Sequence, residues 1–270
     1  MSKVILGRVL VAFVCLLGGV NLPIASTIES ADTTHCGYQQ NDQAYKPVVW
    51  GQMTICFIYE RSSLDTESDG LQSVDGIVLY MSSASGAVTR VREFSKVYTE
   101  EILHDAFLFP VNKQGELRLF VIHSNDTPGR WVSASRLYDV NAFELKAGQL
   151  VRDDLISDFF GGSGDYHFDG TDELRHVFPY KTRSSIEQVI ESPLFKLVNS
   201  GLTVKGTLKE KTFLYKDRPF SDLHSMTSAY LIEDDEVTVT ETSVGWCNIT
   251  YSANAKPIKA WIRCDSMTVR

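Results

Sequence analysis

The C-terminal part of this 270-residue chain contains a series of short strand-like runs: K-T-F-L-Y at 211–215, S-A-Y-L-I-E-D-D-E-V-T-V-T-E at 228–241, G-W-C-N-I-T-Y at 245–251 and I-K-A-W-I-R-C-D-S-M at 258–267. β-Branched and aromatic residues are frequent in these runs, and polar turns separate them, as is typical of antiparallel strands. The pattern predicts a small all-β domain over residues 201–270.

The order of these features, from about Thr207 to Val269, resembles that of a bacterial SH3-like domain. A Phe-Leu-Tyr strand comes first, a Tyr-Leu-Ile strand and a Gly-Trp strand follow, and an Ala-Trp-Ile strand ends the series. The resemblance implies a small barrel that binds a ligand and rarely catalyses a reaction.

SH3-like domains bind through strips of aromatic residues. The resemblance therefore implies a binding strip of Trp246, Trp261 and Tyr215, with Arg263 beside them. The alternative is that these aromatics fill the core or the rim of the barrel, and we favour that alternative for Tyr215 and Tyr230.

The last two strand-like runs predict a hairpin with Cys247 directly opposite Cys264. Ile249 then faces Ile262 on an apolar core face, because side chains alternate between the two faces of a sheet. The two tryptophans fall on the opposite face, and we expect them to be exposed there.

The N-terminus has the pattern of a cleaved signal peptide over residues 1–26. Two basic residues precede an apolar run from Val9 to Val20, which is short for a membrane span, and small residues follow up to Ser26. We therefore expect a periplasmic or secreted protein with no stable membrane anchor. Lipid attachment at Cys15 and a retained anchor are the alternatives.

The composition is that of an acidic globular protein, with a formal net charge of −8. An acidic exported chain is a poor ligand for nucleic acid or anionic lipid, because like charges repel. We expect no nucleic-acid partner and no cofactor.

The chain has five cysteines, four of which follow the predicted signal peptide. Their spacing favours two local disulfides, Cys36 with Cys56 and Cys247 with Cys264, in an oxidising compartment. Zinc binding is the alternative, but neither pair has the close Cys-x-x-Cys spacing of a structural zinc site.

Residues 27–200 predict a β-rich domain with one late helix, so the whole fold is expected to be mostly β with minor α. Strands are expected at 48–59, 76–81, 88–94, 106–111, 117–123, 138–145 and 149–151. The helix is expected over 184–198, capped by Ser184 or Ser185 with Glu187, and ended or kinked by Pro193. The break near Gly201 marks the domain boundary.

The segment from Asp165 to Leu174 resembles the calcium loop of FG-GAP repeats. The resemblance implies Asp165, Asp169 and Glu173 as ligands on a glycine-containing turn, since Ca²⁺ prefers several oxygen ligands. His167 stands where Asp or Asn is expected. The alternative, an acidic solvated loop, is the one we favour.

Six histidines are scattered along the chain, and none lies in a G-x-S-x-G or H-E-x-x-H motif. These features predict an exported, non-enzymatic binding protein that recognises a protein or a cell-wall component, with a toxin-neutralising immunity-type protein as one specialisation. The alternatives are a peptidoglycan hydrolase or its accessory, because bacterial SH3 modules are often attached to such enzymes, and a calcium-dependent adhesion or scaffold protein. Ligand identity and oligomeric state stay open.

Overall fold

The structure is a computed structural model that describes residues 36–38, 42–61, 75–94, 101–127, 134–167, 174–217, 226–253 and 256–270. Residues Ala31–Arg270 form one compact unit. Within the described ranges the chain forms seventeen strands and three short α-helices. The expected mostly-β fold with minor α is confirmed.

The first four strands form an antiparallel sheet in chain order. They are β1 (Gln43–Trp50), β2 (Met53–Arg61), β3 (Asp75–Ser82) and β4 (Val88–Glu93). The single strand expected over 48–59 is wrong, because the chain turns at Gly51, where φ is 64°, and Trp50 pairs with Met53. Glycine adopts this backbone conformation without a steric penalty.

The next six strands form a second antiparallel sheet in the order β10-β9-β7-β6-β5, with β8 beside β7. They are β5 (Glu101–Pro110), β6 (Leu117–Asp126), β7 (Ala134–Lys146), β8 (Gln149–Arg152), β9 (Gly162–His167) and β10 (Leu174–His176). Hairpins β5–β6 and β7–β8 lie where the sequence predicts them.

The apolar core between these two sheets follows from the alternation of side chains along their strands. On β6, Leu119 and Val121 belong to the cluster shared with the first sheet, whereas Phe120 and Ile122 belong to the cluster under the helices. The second sheet is therefore the central layer, and both of its faces are covered.

Three helices cover the other face of the second sheet: α1 (Asp154–Phe160), α2 (Arg183–Ile190) and α3 (Pro193–Asn199). The single helix expected over 184–198 is two helices, and the second begins at Pro193, where the missing N–H of proline costs no hydrogen bond. The predicted cap is wrong. Thr182 caps α2, and its Oγ1 accepts a hydrogen bond from Ser185 N at 3.2 Å.

Seven strands form the C-terminal sheet, in the order β13-β12-β16-β15-β14-β11-β17. They are β11 (Val204–Leu208), β12 (Thr212–Tyr215), β13 (Met226–Leu231), β14 (Glu236–Ser243), β15 (Trp246–Ala253), β16 (Lys256–Arg263) and β17 (Met267–Val269). Leu231 of β13 and Met267 of β17, at opposite ends of this order, lie in one apolar cluster. The sheet therefore curls around its own core.

Two disulfides join the predicted cysteine pairs, with Cα atoms 6.4 Å apart for Cys36 and Cys56 and 5.1 Å apart for Cys247 and Cys264. The predicted hairpin register is wrong, because Cys247 pairs with Ile262 rather than with Cys264. Cys264 lies just after β16, in a short 3₁₀ turn. The shift of two residues leaves every side chain on its predicted face.

A buried carboxylate connects the two N-terminal sheets. Glu101, at the start of β5, has no exposed surface. Its Oε2 accepts a hydrogen bond from Ile77 N of β3 at 3.0 Å, and its Oε1 lies 2.5 Å from Nδ1 of His123 on β6. An unpaired carboxylate in the interior would be costly, so these partners fix how the sheets meet.

Removal of this carboxylate should destabilise the protein strongly. We expect Glu101→Ala to lower the free energy of unfolding by about 3–5 kcal/mol, because the buried His123 loses its partner. Glu116→Ala, on an exposed turn, should change it by about 0.5 kcal/mol or less. Urea unfolding at neutral pH measures both changes, and equal losses would contradict the bridging role of Glu101.

Candidate functional site

The structure brings the four predicted binding residues together on the outer face, defined as the face of the C-terminal sheet opposite its apolar core. Trp246 pairs with Arg263, and Tyr215 pairs with Trp261. The Tyr215 and Trp246 rings meet edge to face with centroids 5.1 Å apart. The guanidinium of Arg263 lies 5.4 Å from the Trp246 ring.

The exposure expected for the two tryptophans is wrong, since Trp246 is 6% and Trp261 is 7% exposed. The turn before Trp246 packs against the helical layer. Val244 inserts into the core under the helices, and its N–H donates to the carbonyl of Phe159 at 3.1 Å. Alternation along a strand separates the two faces of a sheet, but it does not show where another layer covers one of them.

A glycine on the helical side makes room for this turn. Gly161, which ends α1, has a φ of 59°, and a Cβ there would lie 2.9 Å from Cγ2 of Val244. Any larger residue would have to displace Val244. The end of α1 and the β14–β15 turn therefore fit together only because this position has no side chain.

Truncation of Trp261 tests whether the ring is packed. We expect Trp261→Ala to lower the free energy of unfolding by about 3–5 kcal/mol, the usual cost of removing a buried aromatic ring. Tyr230→Ala, on the exposed part of the same face, should cost less than about 1 kcal/mol. Urea unfolding of the two variants measures the difference, and a small loss for Trp261→Ala would mean that its ring contributes no packing.

The exposed part of the outer face is the β12–β13 patch, defined as Lys211, Phe213, Tyr230 and Ile232. Phe213, Tyr230 and Ile232 are 42%, 49% and 56% exposed. The Phe213 and Tyr230 rings lie 6.2 Å apart. The Nζ atom of Lys211 lies 4.0 Å from the centre of the Tyr230 ring and 5.2 Å from that of Phe213. These distances are typical of cation–π contacts.

Phe213 and Ile232 were not predicted as binding residues. Each stands next to a leucine that points into the core, so alternation places both side chains on the outer face. Leu214 and Leu231 point into the core, so their neighbours point outward. Strand β13 also lies at the end of the sheet and, within the described residues, pairs only with β12. It carries no charged residue and no proline, the residues that usually prevent an edge strand from pairing with another chain.

A second candidate site is the interface cavity, a cleft of about 470 Å³ between the helical layer and the C-terminal sheet. Its volume lies within the usual range for ligand pockets. Most of its wall is apolar. The apolar lining residues include Phe159, Tyr180, Val189, Leu194, Met267 and Val269.

The charged groups of the interface cavity lie on the strands and turns of the C-terminal part of the chain. Arg263 Nη2 lies 3.1 Å from the carboxylate of Asp265, and Lys209 Nζ donates to the Asp265 carbonyl at 3.0 Å. Burial raises the pKa of the Tyr180 hydroxyl to about 12, against an opposing effect of Arg263. Tyr180 therefore stays neutral at physiological pH.

Of the calcium ligands that the FG-GAP resemblance implies, Asp169 and Glu173 lie outside the described residues, so neither the calcium site nor the solvated loop that we favour is tested there. Asp165 lies in β9, where its Oδ1 accepts a hydrogen bond from Phe178 N at 2.9 Å and its Oδ2 forms an ion pair with Lys181. Both oxygens therefore have protein partners. Among the described residues, no group of three metal-binding side chains is found.

A serine and a histidine that sequence reasoning did not connect form a hydrogen bond in the second sheet. His104 Nε2 and Ser124 Oγ lie 2.7 Å apart, but Ser124 is only 1% exposed. A nucleophile has to reach its substrate, and the buried Ser124 does not. We therefore interpret this pair as a structural contact. Burial lowers the pKa of His104, and electrostatic interaction with Arg136 and His123 lowers it further, partly offset by Asp126.

The pKa of His104 predicts a pH dependence of stability. Because the native pKa lies below the unfolded value of about 6.5, the unfolded chain takes up the proton first as pH falls. The free energy of unfolding should therefore decrease from about pH 7 to about pH 5. We expect His104→Gln to make this decrease shallower in urea unfolding across that range, and a steeper decrease would contradict the assignment.

Comparisons with protein-family models, curated proteins and solved structures find no match to this chain. In the described part of the chain, no helix has the length and apolar character needed to cross a membrane.

Proposed function

We propose that this chain is an exported, non-enzymatic binding protein that recognises a partner protein through the β12–β13 patch of an SH3-like C-terminal domain. The observation that carries this proposal is the exposure of two aromatic rings on adjacent strands and of an isoleucine directly after the second strand. Aromatic residues that lie together at a surface are typical anchors of protein recognition.

The edge position of β13 favours a protein over a cell-wall ligand. An extended segment of a partner can pair with a sheet edge that lacks charged residues and proline, through main-chain hydrogen bonds. The side chains of that segment can then contact exposed residues beside the edge. Lys211, above the Phe213 and Tyr230 rings, would then favour an acidic residue next to the apolar contact. A toxin that this protein neutralises is one partner of this kind.

The two disulfides support the export part of the proposal. Cys36–Cys56 and Cys247–Cys264 both lie at bonding distance, and such bonds persist in oxidising compartments. They agree with the signal peptide predicted over residues 1–26, which lies outside the described residues. The expected location is the periplasm or the exterior of the cell.

The double variant Phe213→Ala/Tyr230→Ala tests the proposed function. We expect it to reduce the stoichiometric capture of a periplasmic protein by at least about tenfold, since such anchors carry much of the binding energy. Val49→Ala/Val88→Ala is the matched control, because both valines are exposed apolar residues of the first sheet. Its capture should equal that of the wild-type protein.

The same three proteins should be sedimented with purified peptidoglycan sacculi. Co-sedimentation that only the double variant loses would assign the patch to the cell wall and overturn the choice of a protein partner. Equal capture and equal co-sedimentation for all three proteins would remove the β12–β13 patch from any binding role. Thermal melting of each variant confirms that it is folded.

A further inference from the structure

We infer that the interface cavity binds a small amphiphile, an apolar chain that ends in a carboxylate. The site is separate from the β12–β13 patch and does not depend on the function proposed for that patch. It lies where two layers of the protein meet, a common position for ligand pockets.

The apolar part of the ligand is argued from the wall of the cavity. Phe159 and Leu194 line it from the helical layer, and Met267 and Val269 line it from β17. An alkyl chain that enters this space leaves water for an apolar surface, which is favourable for each carbon buried. A strongly polar ligand such as a sugar would find few hydrogen-bond partners on this wall.

The carboxylate is argued from the charges at the cavity. Arg263 is already paired with the carboxylate of Asp265. Lys209 Nζ reaches only a backbone carbonyl, that of Asp265, and it forms no ion pair with the described residues. The lining therefore carries two cations and one anion, in a protein whose formal net charge is −8.

This excess positive charge selects the charge of the ligand. A carboxylate beside Lys209 would form a charge-assisted hydrogen bond, which is stronger than a bond between neutral groups. An ammonium at the same place would be repelled by Lys209 and Arg263. The neutral Tyr180 hydroxyl on the cavity wall adds no competing negative charge.

Decanoate and decanol are the probes, used below the concentrations at which they aggregate. We expect the folded protein to bind decanoate about tenfold more tightly than decanol in isothermal titration calorimetry. One additional charge-assisted hydrogen bond accounts for a difference in affinity of about this size. Lys209→Gln should remove this preference and leave the affinity for decanol unchanged. Lys205→Gln, on β11 four residues before Lys209, is the matched control and should alter neither affinity.

A second variant tests the location. Thr268 is exposed and lines the cavity, so Thr268→Trp should obstruct the space and abolish binding of both probes without unfolding the protein. Three outcomes would each overturn the inference: no binding of either probe by the wild-type protein, a preference for decanoate that survives Lys209→Gln, or full binding by a folded Thr268→Trp protein.

Discussion

The buried carboxylate of Glu101 is the contact on which the layered N-terminal half depends, because it leads into a chain of polar groups that crosses the second sheet. His123, its partner, contacts Asn141 on β7, with Nε2 and Nδ2 3.0 Å apart. Asn141 Oδ1 accepts a hydrogen bond from Arg152 Nε at 3.1 Å. Arg152 in turn forms an ion pair with Asp158 of α1 at 3.0 Å. Polar networks of this kind specify one arrangement of layers, since a shifted arrangement leaves buried groups without partners.

A second polar contact holds the same layers at their edge. Asp105 of β5 accepts a hydrogen bond from the Tyr45 hydroxyl of β1 at 2.7 Å and two from the Arg183 guanidinium of α2 at 3.0 and 3.1 Å. Burial opposes ionisation of Asp105, but Arg183 and Tyr45 outweigh it and hold the pKa of the carboxyl below its ordinary value. The first sheet, the second sheet and a helix thus meet at one carboxylate.

Local patterns in the sequence predicted most of the strands but little of how the layers meet. The hairpins of the second sheet and the strands at 76–81 and 88–94 follow from alternation and turn residues, which are properties of neighbouring positions. The turn at Gly51 was missed because apolar residues lie on both sides of it. Helix α1 was missed because seven residues are too few to establish a helical period.

The same difference between local and long-range contacts separates the features of the candidate sites that were predicted from those that were not. Alternation placed Trp246 and Trp261 on the outer face, but it could not show that both side chains are buried there, since a contact such as that between the Tyr215 and Trp246 rings joins residues far apart in the chain. The interface cavity was not predicted for the same reason, since its walls come from separate layers. Cysteine spacing succeeded because each disulfide joins positions only 20 and 17 residues apart.

The fit between Gly161 and Val244 has a consequence for how this protein changes over evolution. A side chain at position 161 would need both a strained backbone and a smaller residue at position 244. Neither substitution is then neutral in the other's absence, although the two positions lie in different layers and far apart in the chain. Related chains should therefore vary at these positions together or not at all, and an exchange of C-terminal sheets between relatives should succeed only when the end of α1 is exchanged with them.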